Sequence, residues 1–126
     1  MLIFATDGFN DYDLKIINKH ILGKLIRKNL GNSKLVKSVE ELICDIEKNN
    51  WQNPQDLIKT RPDADCVYGR EFYFFDLNIH RILILIEFEE NGNATIIWAG
   101  NHADYELTFK NNRNVIKKWL RDNSWI

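Results

Sequence analysis

The feature that most constrains the fold is a run of strand-like segments joined by very short turns in the second half of the chain. Residues 71–77 are rich in aromatic side chains, and residues 80–88 alternate between two faces, as β-strands do. Only two residues separate these segments. Asn91-Gly92, a strong signal of a hairpin, then leads into a third strand over residues 94–99. Because turns this short join antiparallel strands, the sequence predicts an antiparallel meander.

Helical periodicity dominates the first half of the chain. Apolar residues recur at helical spacing over residues 11–30 and predict a first helix, which residues 31–33 (Gly-Asn-Ser) would end. Ser38 and Glu41 have the spacing of a capping box, and they predict that a second helix starts at Ser38 and ends at residues 49–50.

Shorter elements complete a single α+β domain over residues 1–126, with no internal repeat or linker. The remaining predictions are an edge strand over residues 2–5, a short helix begun by Asn53-Pro54 and running to residue 59, a loop over residues 61–65, a helix capped by Asn101 and Asp104, and a last helix over residues 112–122.

Composition indicates a self-sufficient core and a reducing compartment. Apolar residues make up 44% of the 126 residues, enough for a core without covalent staples. Cys44 and Cys66 lie far apart, which favours two buried free thiols over a disulfide or a metal site. The chain begins without a basic leader region, and its most apolar stretch, residues 82–86, is too short to span a bilayer. We therefore expect a cytoplasmic protein that does not enter the membrane.

Charge is distributed unevenly along the chain. The net charge of −1 argues against an indiscriminate nucleic-acid binder. Residues 15–37 nevertheless hold seven Lys or Arg and no acid, and residues 110–121 hold five bases and no acid, whereas residues 56–90 hold eight acids against four bases. This pattern fits either one basic face for a polyanion or simply solvated helix faces.

Three residues at one end of the predicted sheet have side chains suited to proton transfer and charge stabilisation. Arg81 begins the central strand, and His102 and Tyr105 follow the last strand at a spacing that places both on one side of a helical turn. RNA cleavage without a metal needs a base, an acid and a cation near the phosphate, and these residue types can supply them. Structural roles compete with this interpretation: Arg81 could pair with Glu71 or Asp76, and Tyr105 could be a core aromatic with its hydroxyl at the rim.

Four further residues, which the sequence predicts to lie near the same end of the sheet, are candidates for RNA binding. Lys59 and Arg61 lie in or beside the loop before the meander, and Arg70 precedes its first strand. Trp98 is a candidate for stacking on a base, although a buried tryptophan is the commoner outcome. The three histidines are widely spaced and lack a cysteine pair, so we predict no metal site and no cofactor.

A succession of short motifs resembles the HigB toxins, a family of the RelE-like group of bacterial toxin–antitoxin systems. The resemblance covers roughly residues 51–105. The motifs are Trp51-x-x-Pro54-x-Asp56-Leu57, Pro62-x-Ala64-Asp65, Phe74-Phe75-Asp76, Arg81-Ile82 and Asn101-His102-Ala103-Asp104-Tyr105. The chain departs from the family pattern at Asn101, where the family usually has Thr, and at residues 77–80, which lack the common Gly-Asn turn.

The resemblance implies a RelE-like fold, with N-terminal helices packed on one face of a small curved antiparallel sheet and a C-terminal helix. It implies a metal-independent mRNA-cleaving toxin that acts during translation, on the ribosome, and is neutralised by a HigA-like helix-turn-helix antitoxin. By position, it assigns Arg81 to phosphate stabilisation, His102 to proton transfer, and Tyr105 to positioning or protonating the substrate.

Two other functions remain open from the sequence. One is a toxin relative that poisons a protein target without cleaving RNA. The other is an antitoxin-binding module without activity. The combination of Arg81, His102 and Tyr105 favours catalysis, because a binding surface does not need a proton donor and acceptor.

Overall fold

The computed structural model describes residues 15–126, and within them five helices surround one five-stranded sheet. In chain order the elements are β1 (Lys15–Ile17), α1 (Lys19–Lys28), α2 (Ser33–Lys48), α3 (Pro54–Thr60), β2 (Asp65–Tyr68), β3 (Phe72–Leu77), β4 (His80–Ile86), β5 (Asn93–Asn101), α4 (His102–Phe109) and α5 (Arg113–Asp122). The sheet order is β1-β5-β4-β3-β2.

The predicted meander is confirmed. β3, β4 and β5 pair antiparallel, with Leu77 opposite His80 across a two-residue turn. Asn78 in that turn and Asn91 in the next both have φ of 60°, a left-handed conformation that Asn tolerates better than most side chains. β2 adds a further antiparallel strand outside β3.

A bulge in β5 sets the register of the functional end of the sheet. Leu83 pairs with Trp98 and Ile84 with Ile96, so Ile97 is the extra residue. Beyond the bulge, Arg81 lies opposite Gly100. An extra residue of this kind re-aims the side chains that follow it.

The prediction of one helix over residues 11–30 is confirmed for residues 19–28 and wrong for residues 15–17. Lys15–Ile17 form a strand that pairs parallel with Asn93, Ala94 and Thr95 of β5, and α1 begins only at Lys19. Asn18 separates the two elements in a left-handed conformation (φ 66°), and its side chain donates to the Ile96 carbonyl. A distant strand edge thus outweighs local helical periodicity. Residues 11–14 and the predicted strand over residues 2–5 lie outside the described residues.

The second helix starts earlier than predicted. Asn32 caps α2, since its side chain accepts from the Leu35 amide, and the Ser38 and Glu41 pair lies inside the helix rather than at its start. The predicted end is confirmed, with Asn49 as the C-cap. α3, α4 and α5 agree with the sequence-based predictions to within one residue at their predicted ends.

The helices cover both faces of the sheet, and each face has its own core. α1, α2 and α3 pack on the first face, against alternate strand residues such as Phe75, Leu77 and Ile82. α4 and α5 pack on the second face, against Phe74 and Leu83. The α+β class and the RelE-like arrangement of helices are therefore confirmed.

The cysteines correct one expectation. Both are free, but Cys44 is exposed and Cys66 is only partly buried, so the prediction of two buried thiols is wrong. None of the described helices is long and apolar enough to cross a membrane.

Candidate active site

Arg81 lies on the second face, at the end of the sheet where β3 ends and β4 begins. Its Nε donates to Asp76 Oδ1 at 3.1 Å, directly across the strand pair. Its Cζ lies 4.6 Å from the centroid of the Tyr105 ring and 5.5 Å from that of Phe74. The guanidinium is held between a carboxylate and two aromatic faces, a geometry that favours a cation. The alternative prediction, that Arg81 pairs with Asp76 at the strand end, is thus also confirmed.

Gly100, which lies opposite Arg81, has no side chain, and the ring of Trp98 occupies the space that this leaves. A Cβ at Gly100 would lie 2.7 Å from Trp98 Cη2 and 2.9 Å from Asp104 Cβ. The Trp98 ring also packs edge-on against Phe74 and Phe109. This position therefore needs glycine for close packing rather than for backbone freedom.

His102 stands at the first position of α4, which a complete capping box holds in place. The Asn101 side chain accepts from the Asp104 amide at 2.8 Å, and the Asp104 carboxylate accepts from the Asn101 amide at 3.1 Å. The His102 side chain is 75% exposed, and its Nε2 lies 3.7 Å from Glu106 Oε1. A rigid helix start thus presents an accessible imidazole next to a carboxylate.

Tyr105 joins His102 to Arg81. Its ring stacks on the imidazole with the centroids 6.3 Å apart and carries the Arg81 guanidinium. The residue is only 3% exposed, and its hydroxyl donates to Asn111 Oδ1 at 3.0 Å. Burial raises the pKa of the phenol above its ordinary value, although the Arg81 charge opposes this shift. The hydroxyl therefore has a partner already and is a weaker acid than a free phenol.

His80 is a buried histidine close to Asp104, and nothing in the sequence assigned it to the site. It is 3% exposed, and its Nδ1 has no hydrogen-bond partner among the described residues. Burial lowers the pKa of its imidazole, while the nearby Asp104 charge and a hydrogen bond with the Leu77 backbone act in the opposite direction. The neutral imidazole is therefore the favoured form under the helix start that carries His102.

Arg70 does not share the site. It lies in the turn before β3, six residues ahead of Asp76, which is the residue paired with Arg81. At the rise of a strand this is about 20 Å away, at the other end of the sheet. The predicted convergence is wrong for this residue, because β3 begins at the end of the sheet opposite the β3–β4 turn, and Arg81 lies beside that turn.

Two of the remaining RNA-binding candidates, Arg61 and Trp98, are held by contacts within the protein, whereas Lys59 lies at the surface. Lys59 is exposed in the last turn of α3. Arg61 is 12% exposed and bonds to Asp45 at 3.2 Å and Asp63 at 2.8 Å, on the first face, over the Phe75 ring. Trp98 is half-buried among aromatic rings. These contacts give Arg61 a structural role in joining α2 to the loop before β2.

Carboxylates outnumber the permanently charged bases at the site. Arg81 is matched by Asp76 and His102 by Glu106, and Asp104 stands at the same helix start. Sequence spacing offered a signal for Glu106, because it lies one helical turn after His102. Within residues 15–126, no group of three or more His, Cys, Asp and Glu side chains is arranged to hold a metal ion.

Comparison with known families gives this arrangement a context. Residues 36–108, more than half of the chain, match the family model of HigB_toxin, described as the RelE-like toxic component of a toxin–antitoxin system. The chain belongs to the HigB toxin family. No curated protein matches the sequence.

The family match includes all of the site except Asn111. It begins in α2 and ends within α4, so it includes Arg81, His102 and Tyr105. α5 lies beyond the matched residues, and its Arg113 donates to the Cys66 carbonyl at 2.8 Å. As a member of this family, the chain is the toxic component of a toxin–antitoxin system, which implies an antitoxin as its partner.

Proposed function

We propose that this HigB toxin is a metal-independent endoribonuclease that cleaves mRNA during translation. The observation that carries the proposal is the contact chain from Arg81 through Tyr105 to His102 at one end of the sheet. Such a chain places a cation, an aromatic platform and an accessible imidazole within the reach of one phosphodiester. These are the groups needed for cleavage without a metal.

The proposed reaction is a transesterification. His102 takes the proton of the ribose 2′-hydroxyl while that oxygen forms a bond to phosphorus. The bond from phosphorus to the 5′ oxygen breaks, and the 5′ oxygen takes up a proton from water, which reaches this exposed site. The hydroxide left behind takes the proton from the His102 imidazolium, and the imidazole is neutral again. Arg81 stabilises the charge on the phosphate. The products are a 2′,3′-cyclic phosphate and a 5′-hydroxyl.

Tyr105 acts in this proposal as a positioning residue. Its hydroxyl is engaged with Asn111 and its ring contacts both Arg81 and His102. Glu106, 3.7 Å from His102 Nε2, stabilises the imidazolium formed when the proton is taken up. No cofactor enters the reaction.

The proposal includes a cytoplasmic site of action, at the ribosome, and a HigA-like helix-turn-helix antitoxin as the partner. The family match supports an antitoxin partner, and the inferred mRNA substrate requires the compartment in which translation takes place. The whole of residues 1–126 would act as one domain.

The experiment is to express the wild type, His102→Ala and Arg81→Ala under tight induction and to map new 5′ ends across cellular mRNA. We expect discrete internal cuts in the wild type and at least a hundredfold fewer in either variant. His20→Ala, a change at an exposed histidine on α1, is the matched control and should cut like the wild type. Cuts that persist in His102→Ala would reject the role of that residue, and growth arrest without any cuts would reject the nuclease.

A toxin directed at a protein target is the second candidate. It is favoured by the charge balance of the site, in which Arg81 and His102 each face a carboxylate. It predicts growth arrest with intact mRNA. An antitoxin-binding module without activity predicts no arrest at all.

A further inference from the structure

A groove of about 230 Å³ runs between α1 and the outer edge of β5. Its strand side is formed by residues 97–99, and its helix side by two apolar residues, Ile21 and Leu25, and two lysines, Lys24 and Lys28. β1 pairs with β5 only as far as Thr95, so within the described residues no strand covers this part of the edge.

The groove is basic, whereas carboxylates outnumber the permanently charged bases in the active site. Lys24 and Lys28 are one helical turn apart and exposed, and neither forms an ion pair with any residue in the described part of the chain. No carboxylate is found among the described residues that line the groove. In the active site, by contrast, Arg81 is already paired with Asp76. A polyanion that reaches Arg81 therefore gains little net attraction there and must be held by cations nearby.

Strand β5 connects the groove to the site, although α1 packs on the first face of the sheet and Arg81 lies on the second. Residue 99 is followed by Gly100, which lies opposite Arg81, and then by Asn101 and His102. At strand spacing, the Cα atoms of Ala99 and His102 are about 10 Å apart. Trp98 is one of the residues that line the groove, and its ring lies against Gly100.

We propose that this groove binds the backbone of single-stranded RNA flanking the scissile phosphate, with Lys24 and Lys28 each neutralising one phosphate. The inference rests on the proposed ribonuclease function and adds to it the path of the substrate. It also accounts for how a chain with a net charge of −1 holds a polyanion, because two exposed lysines lie together in a groove that contains no acid among its described residues.

The test measures binding of a fully 2′-O-methylated single-stranded RNA of twelve nucleotides, which has no nucleophilic hydroxyl and is not cut. The wild-type chain is compared with Lys24→Gln/Lys28→Gln over a range of salt concentrations. Lys34→Gln/Lys37→Gln removes the same charge from two exposed lysines of α2 and is the matched control. Thermal unfolding of each variant checks that the fold is intact.

The expected result is a salt dependence that falls by about 1.4 in log–log slope for Lys24→Gln/Lys28→Gln, since each phosphate contact to a single strand contributes about 0.7. If affinities converge at 1 M salt, this slope corresponds to a loss of about 25-fold at 0.1 M salt. The control should retain the wild-type slope.

Two outcomes overturn the inference. One is an equal effect of both pairs of substitutions, which would mean that charge alone matters and not the groove. The other is a wild type that does not bind the RNA at all. Either result leaves the nuclease proposal to the mapping of cellular 5′ ends, so the two failures can be told apart.

Discussion

Gly100→Ala introduces one methyl group into the tightest contact of the active site. The new Cβ would lie 2.7 Å and 2.8 Å from two atoms of the Trp98 ring and 2.9 Å from Asp104 Cβ. Carbon atoms pack at about 3.5 Å or more, so one side must retreat by about 0.8 Å. Trp98 has little room to do so, because its ring lies 5.0 Å from Phe109 and 6.3 Å from Phe74, centroid to centroid.

The cost can be worked from two opposing effects. Overpacking of this kind typically destabilises by about 1–3 kcal/mol. Replacing glycine by alanine in a strand returns roughly 0.5–1 kcal/mol, because the unfolded chain becomes less flexible. From the midpoints of these two ranges, the net loss in the free energy of unfolding should be about 1 kcal/mol. Because Asp104 belongs to the capping box of α4, the same strain moves His102, and a displacement near 1 Å can cost about a hundredfold in rate.

Urea unfolding followed by circular dichroism measures the stability, and RNA cleavage measures the rate. Trp98→Leu removes the clashing ring, so Gly100→Ala should cost at least 1 kcal/mol less in that background than alone, a coupling of about the size seen for residues in contact. A Gly100→Ala variant as stable as the wild type would refute the packing argument. Equal costs in the two backgrounds would show that the strain lies elsewhere.

Three further predictions concern groups around the sheet end. Burial lowers the pKa of His80, so on acidification the unfolded chain takes up a proton before the folded chain does. Below about pH 6.5 the free energy of unfolding of the wild type should fall by up to about 1.4 kcal/mol per pH unit relative to that of His80→Gln, measured by urea unfolding. The same pH dependence of stability in both proteins would contradict this. Arg61→Ala leaves two aspartates without their cation and should lower the free energy of unfolding by about 3 kcal/mol; a loss below about 0.5 kcal/mol would show that the bridges are ordinary surface pairs. Tyr105→Phe removes only the hydroxyl bonded to Asn111, so stability should fall by about 1 kcal/mol while RNA cleavage changes less than tenfold; a loss of a hundredfold or more would make the hydroxyl a proton donor.

The sequence was most informative where local rules and the final fold agree. The Asn91-Gly92 turn, the Asn53-Pro54 helix start and the Asn101 capping box each depend on residues within a few positions of one another, and each is confirmed. Lys15–Ile17 depend instead on a strand nearly eighty residues away, and nothing local distinguishes them from a helix. The error at Ser38 has a similar cause: a capping pair is a weak signal when Asn32 offers an earlier cap.

The candidate site was predictable in part for the same reason. Arg81, His102 and Tyr105 flank the meander, whose short turns fix which ends meet. Arg70 was misplaced because it precedes β3, and β3 begins at the end of the sheet opposite Arg81. Asn111 and Gly100 could not be found in the sequence, since their roles depend on side-chain contacts with Tyr105 and Trp98 across elements.

The parallel pairing of β1 with β5 has a consequence for the order of events during synthesis. Asn18 bonds to Ile96, 78 residues later in the chain, so at about 5–20 residues per second the first strand waits roughly 4–16 s for its partner to be translated. Closing so long a loop also adds an entropic cost and delays folding. A three-residue strand that carries a lysine offers little to other chains during that interval. The brevity of β1 thus protects a nascent toxin from aggregating before its last strands are made.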